Sequence, residues 1–258
     1  MKKRNLALLS LLLPGTVIAA PGPFTGFYAG MDMGYTQSAV EDVYNTHIAV
    51  AGALNLNLRA NSAKVTDTAF LGGVTLGYAL FVDPTFIFAL EGRAHFEDLD
   101  SVVDHEHVEA NSNFLAVTNT TIDMNHDFAL LGKLGMLLDH KCLMYILGGA
   151  DWGKMNIASN TLYRQEIGVQ LDGAVSAQKS SYETGYVLGL GIDYLVMDYL
   201  SVGLEYNYTV FGDLEFVSPI NGLVSLNGAP QADSILASHN EITMNVSKVL
   251  LKFNYYFC

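Results

Sequence analysis

The sequence predicts an all-β fold: an eight-stranded antiparallel transmembrane β-barrel wound as an up-and-down meander. Three observations carry this expectation. From Phe24 onward the chain divides into eight segments whose side chains alternate in character with period two, as in strands. One face of each segment is apolar and free of Asp, Glu, Lys and Arg, while the opposite face collects charges, amides and glycines. The connections alternate between very short turns and long polar stretches. That asymmetry fits an outer-membrane barrel with periplasmic termini and extracellular loops.

The first twenty residues have a basic start at Lys2, Lys3 and Arg4, an apolar run over 6–13, and small residues at Ala19 and Ala20. This reads as a secretory signal peptide over 1–20, leaving a barrel domain over 21–258. The run is too short for a membrane helix of about 20 residues, and every later apolar run is broken by Gly or polar residues. With no Cys at the cleavage site, an acylated N-terminus is not indicated. The chain holds 13 Lys and Arg against 26 Asp and Glu, and loss of the three leading basic residues lowers the first count to 10. Such an acidic balance argues against nucleic acid as a partner.

Strands are expected over 24–36, 68–80, 85–97, 122–138, 142–156, 181–196, 200–212 and 241–257, joined by tight connections at 81–84, 139–141 and 197–199. The segments 37–67, 98–121, 157–180 and 213–240 read as four long extracellular loops. The lipid face begins with Phe27, Met31, Met33 and Tyr35, and continues through Phe70, Leu76, Tyr78, Phe86, Phe88, Leu90 and Phe96. Phe128, Leu130, Leu134, Met144, Ile146 and Trp152 extend it, followed by Tyr182, Tyr186, Leu188, Leu204, Tyr206 and Tyr208, then Leu251, Phe253, Tyr255 and Phe257. An Arg or Lys at the bilayer midplane costs about 2–4 kcal/mol, so lipid outside accounts for the absence of charge. His126 also falls on this face, at the loop end of its strand.

The opposite parity carries Asp32, Thr75, Glu91, Arg93, Asp127, Lys133, Asp151, Glu183, Asp193, Glu205, Asn207, Lys248, Lys252 and Asn254. Eight strands enclose a space only wide enough for side chains, so these groups are expected to fill it as an ionic plug. Glu91 is level with Lys133, and Glu205 with Lys252; opposite charges there offset the cost of burial.

Gly26-Phe27-Tyr28-Ala29-Gly30 with Gly34-Tyr35 at the start, and Lys252-Phe253-Asn254-Tyr255-Tyr256-Phe257 at the end, resemble the small outer-membrane barrels of Gram-negative bacteria. That family includes the OmpA transmembrane domain, OmpX and the opacity adhesins. The resemblance covers roughly 24–257 and implies an aromatic C-terminal signal for the barrel-assembly machinery, here followed by one further residue, Cys258. It also implies outer-membrane lipid and lipopolysaccharide as surroundings, in a Gram-negative outer membrane. Relatives include adhesins, complement-resistance factors, structural proteins and a few lipid-modifying enzymes, so fold alone does not choose among them.

Asp98, Asp100, Asp104, His105, Glu106, His107 and Glu109 are the most metal-like group, zinc suiting the histidines and calcium or magnesium the carboxylates. A solvated acidic outer loop is the expected reading of them, and no metal, cofactor or catalytic residue is assigned. His126 beside Asp127 does not form a catalytic pair, because adjacent strand residues point to opposite faces. Ser180 or Ser181 would have to reach His126 from another strand. The alternating Ile48, Val50, Leu54, Leu56 and Leu58 form a hairpin above the membrane, part of an adhesive surface, or extra staves of a ten-stranded barrel; a second apolar stretch spans 214–226. Cys142 and Cys258 are both expected at the periplasmic rim, on strands separated by two others, as free thiols or an intermolecular link. The functional expectation is a non-enzymatic surface barrel with a structural or adhesive role toward a host surface or matrix protein, monomeric or disulfide-linked. A small-solute porin is the alternative, and a lipid-modifying enzyme a more distant one.

Overall fold

The computed structural model describes residues 22–50, 54–59, 63–109, 114–165, 171–212, 214–219, 224–226, 229–231 and 234–257. The expected signal peptide and Cys258 lie outside them. The described strands are β1 (Gly26–Val50), β2 (Leu54–Arg59), β3 (Ala63–Phe81), β4 (Phe86–Glu109), β5 (Phe114–Asp139) and β6 (Cys142–Gln165). They continue as β7 (Leu171–Met197), β8 (Leu200–Phe211), β9 (Leu214–Pro219), β10 (Val224–Leu226), β11 (Ala229–Gln231) and β12 (Ser234–Phe257).

Eight of these are staves of one barrel, in the order β1, β3, β4, β5, β6, β7, β8, β12, each antiparallel to the next. β12 returns to β1 along a ladder from Phe27–Phe257 to Val50–Ser234 and closes the ring. Closure pairs the strand edges that hydrocarbon could not solvate. The remaining strands do not enlarge the ring. β2 pairs with β1 above β3, and β9 pairs with β12 above β8, so each lengthens an existing stave. The ten-stranded alternative is not realised, and the apolar repeat from Ile48 to Leu58 forms a β1–β2 hairpin. β10 and β11 make a small hairpin against the far end of β7.

The expected loops at 37–67, 98–121, 157–180 and 213–240 are mostly strand among the described residues, which corrects the boundaries read from the sequence. β5 has 26 residues. At about 3.3 Å per residue and a tilt of about 40°, such a stave rises about 65 Å, far beyond an apolar band about 25 Å tall. Alternation simply continues: Leu99, Ser101 and Val103 face inward on β4, as do Met155, Ile157 and Ser159 on β6. On β5 a bulge at Asn125 changes the inward parity from Asp127 to Met124 and Ile122. A strict count by two therefore fails there.

The wall and the interior match the expected faces. Phe27, Leu76, Ile146, Tyr186 and Leu188 are among the most exposed large apolar residues, as lipid contact requires. At the turns, the Asp83 carboxylate accepts the N–H groups of Thr85 and Phe86 at 2.7 and 2.9 Å, and Asp139 accepts that of Lys141 at 2.7 Å. Near the N-terminus, Phe24 (φ 64°) and Gly26 (φ 93°) turn the chain under the barrel. The Phe24 ring is buried edge-on to Tyr256, with centroids 5.9 Å apart. Gly77 and Gly191 leave space inside the wall, where an added Cβ would strike the rings of Tyr28 and Tyr145.

Candidate functional site

Three layers fill the lumen. At the short-turn end, Phe24, Tyr28, Ile87, Leu131, Leu143, Tyr145, Leu147 and Tyr256 belong to one apolar cluster. The middle layer is ionic. Lys133 Nζ lies 2.6 Å from Glu91, Arg93 2.7 Å from Glu205, and Lys252 3.1 and 3.2 Å from Glu91 and Glu205 respectively. Arg93 also pairs with Glu91, and the hydroxyls of Tyr28 and Tyr145 donate to Glu91 and Glu205 at 2.7 and 2.8 Å. Both sequence-expected pairs form, though not in level positions: the register partners are Ala89–Lys133 and Leu250–Glu205. The contacts are diagonal ones, because long lysines reach across one step of the ladder.

A second ionic group sits above the first. The His95 ring lies between Asp127 (3.0 Å) and Asp32 (3.3 Å), while Lys248 pairs with Asp127 and lies 3.1 Å from Glu97. Sequence reasoning missed His95 and Glu97, although both continue the period-two series of Glu91 and Arg93 on β4. The third layer is apolar again: Val40, Leu99, Val103, Ile122, Met124, Met155, Ile157, Phe211, Ile242, Met244 and Val246. A small lumenal cavity lined by Lys133, Asp193 and Asn254 among the tyrosines has a volume of about 20 Å³. It accommodates about one water molecule.

The candidate catalytic groups do not converge. Asp127 faces the lumen, whereas His126 faces outward and shares a 3.0 Å hydrogen bond with the Tyr182 hydroxyl. Ser180 donates to Asn156 at 2.7 Å and Ser181 to Glu183 at 2.6 Å. The acidic segment runs along β4 rather than through a loop. Asp98, Asp100 and Asp104 point outward; the side chains of His105, Glu106, His107 and Glu109 lie outside the described residues. Asp100 opposes Asp123 across the β4–β5 ladder. Partial burial, a hydrogen bond with Asp100 and the charges of Asp100 and Asp98 push the Asp123 carboxyl up from its ordinary value. Cys142 is a free thiol at the start of β6. Two staves, β7 and β8, separate it from β12.

The outer face above the lipid-facing band is largely polar, with Val102 and Leu162 as exposed apolar exceptions, and is internally bonded. Asn119 donates to Asp104 at 2.7 Å, Asn156 to Asn125 at 3.2 Å, and Ser176 to Asn160 at 2.7 Å. These short side chains hold one another across neighbouring strands.

Among solved structures, the chain is similar to Ail, the attachment invasion locus protein of Yersinia pestis. Identity is 10%, covering 88% of this chain and 99% of that one, with a TM-score of 0.30. It is also similar to the outer membrane protease OmpT of Escherichia coli (8% identity, 90% and 97% covered, TM-score 0.42). The outer membrane protein OprG of Pseudomonas aeruginosa is a third such structure (13% identity, 92% and 99% covered, TM-score 0.40). No curated protein matches the chain. The profile of the outer membrane protein beta-barrel domain matches residues 6–256, nearly the whole sequence. The chain therefore belongs to the outer membrane protein β-barrel family, and its place is the outer membrane of a Gram-negative bacterium.

Proposed function

We propose that this barrel acts at the cell surface through the extended sheet at its long-stave end, as a non-catalytic adhesive or envelope-stabilising protein. In this reading a signal peptide over 1–20 directs export, the short turns face the periplasm and the long staves project outside. One observation carries it: β4 to β7 run for 24 to 27 residues each, well past the membrane, and among the described residues two apolar clusters with ionic groups between them fill the lumen. A protein built to pass solutes has no use for that filling. A protein that presents a surface gains a rigid stalk. The cross-bonded Asn, Ser and Asp side chains are ordered in advance, which lowers the entropy lost when a partner docks. A host surface or matrix protein is the expected partner.

The test compares cells displaying the full barrel with cells whose 98–121 and 157–180 segments are replaced by short turns, using immobilised matrix proteins and cultured host cells. Protease resistance of the embedded part is the folding control. Loss of binding with the embedded barrel intact is the expected result; unchanged binding overturns the proposal. Reproducible single-channel steps of the purified protein in planar bilayers would move the assignment to a solute pore.

A further inference from the structure

The outer wall has no Asp, Glu, Lys or Arg along its lipid-facing band, and the first charge above that band on β6 is Lys154. Register places it directly between two polar aromatic residues, His126 on β5 and Tyr182 on β7. Directly opposed residues of antiparallel strands share one face, with Cβ atoms about 4.5–5.5 Å apart. The three side chains thus form one row across adjacent staves. The row beneath is Phe128, Trp152 and Thr184, and the His126 ring meets Phe128 and Tyr182 edge-on at 5.8 Å. The row above holds Asn125, Asn156 and Ser180, bonded to one another.

Lys154 differs from every cation of the lumen. Arg93, Lys133, Lys248 and Lys252 are each within 4 Å of a carboxylate, whereas Lys154 has no ion pair among the described residues. It is half-buried on the outward face, at the level where Trp152 and Tyr182 mark the membrane boundary. Its ammonium, with the one O–H or N–H proton that the His126–Tyr182 hydrogen bond leaves free, supplies donors suited to a phosphate. Asp123 stands one row higher, opposite Asn156 on one side and Asp100 on the other. That carboxylate pair repels an anion arriving from solvent but leaves the approach along the membrane open.

We propose that the His126, Lys154 and Tyr182 row binds the phosphorylated headgroup of an outer-leaflet glycolipid, whose acyl chains lie along Phe128 and Trp152. The proposal takes from the preceding section that the long staves face outward from the cell. Trp152 is the single tryptophan of the chain, so its fluorescence reports on this site. The experiment reconstitutes the full protein in vesicles of brominated phosphatidylcholine, which quench a lipid-facing tryptophan. Bis-phosphorylated lipid A is then added. It should relieve the quenching, while dephosphorylated lipid A and inorganic phosphate should not. Lys154→Ala should raise the amount of lipid A needed by about fivefold, the contribution of one near-surface lysine, and Lys154→Arg should restore it. Equal relief by phosphate-free lipid A, or an unchanged Lys154→Ala titration, overturns the headgroup site while leaving the membrane barrel intact. Absence of any initial quenching overturns the outward register on which both readings depend.

Discussion

Below the row of Phe96, His126, Lys154 and Tyr182 the barrel is apolar outside and holds ionic groups inside, over an apolar floor at the short turns; above it the exterior is largely polar and the interior an apolar core. The lower half shows Leu130, Ile146 and Leu188 to lipid and buries Glu91, Arg93, Lys133, Glu205 and Lys252. The upper half exposes Asp100, Asn125, Asn160 and Ser176 and buries Ile122, Met124, Ile157 and Met244. The same eight staves run through both, so strand geometry is not what differs. The surrounding medium does. In water, apolar burial contributes about 25 cal/mol per Å², so the upper lumen is a hydrophobic core like that of a soluble barrel. In lipid that gradient vanishes for the wall, and the lower lumen is held by matched charges whose desolvation only mutual contact offsets.

Breaking the lower half should have the largest effect. Glu91→Gln leaves Arg93, Lys133 and Lys252 sharing Glu205 in a sealed lumen and should cost about 3–5 kcal/mol. Urea unfolding in lipid vesicles checks this, and the double variant Glu91→Gln/Lys252→Met should recover part of the loss. A smaller cost separates the two exteriors: Leu134→Arg, facing lipid, should destabilise by about 2–4 kcal/mol. Thr121→Arg, facing outward in the upper half, should stay within about 0.5 kcal/mol. If both cost the same, the boundary between the media is misplaced.

The upper core yields to gentler change. Ile122→Val, at a fully buried site, should lose about 0.5–1.5 kcal/mol, visible as a lower unfolding midpoint. The smallest effect is expected from Asp123. Its folded carboxyl is raised above the unfolded value, so the folded state holds more protons between the two values and stability falls as pH rises through that window. Protease resistance of the upper sheet should therefore weaken slightly from acid toward neutral pH, and Asp123→Asn should flatten the profile. A rise of resistance with pH in the wild-type protein would reject the Asp100–Asp123 contact.

The lower half was legible in the sequence because hydrocarbon tolerates no outward charge. Every lipid-facing residue named from alternation lies outside, and Glu91, Arg93, Lys133, Glu205, Lys248 and Lys252 lie inside, as their parity requires. The upper half was harder to read. Polar Asn, Ser, Thr and Asp on its exterior resemble loop composition, and the bulge at Asn125 breaks the alternation that would have exposed Ile122 and Met124 as core. Period, composition and the absence of charge on one face determined the fold class, the membrane and the inward charges of the lower half other than His95 and Glu97. That Lys133 and Lys252 each reach both glutamates, and that His126, Lys154 and Tyr182 form one outward row, depended on register between strands distant in the chain. Register is settled by ring closure and bulges, which no single strand encodes.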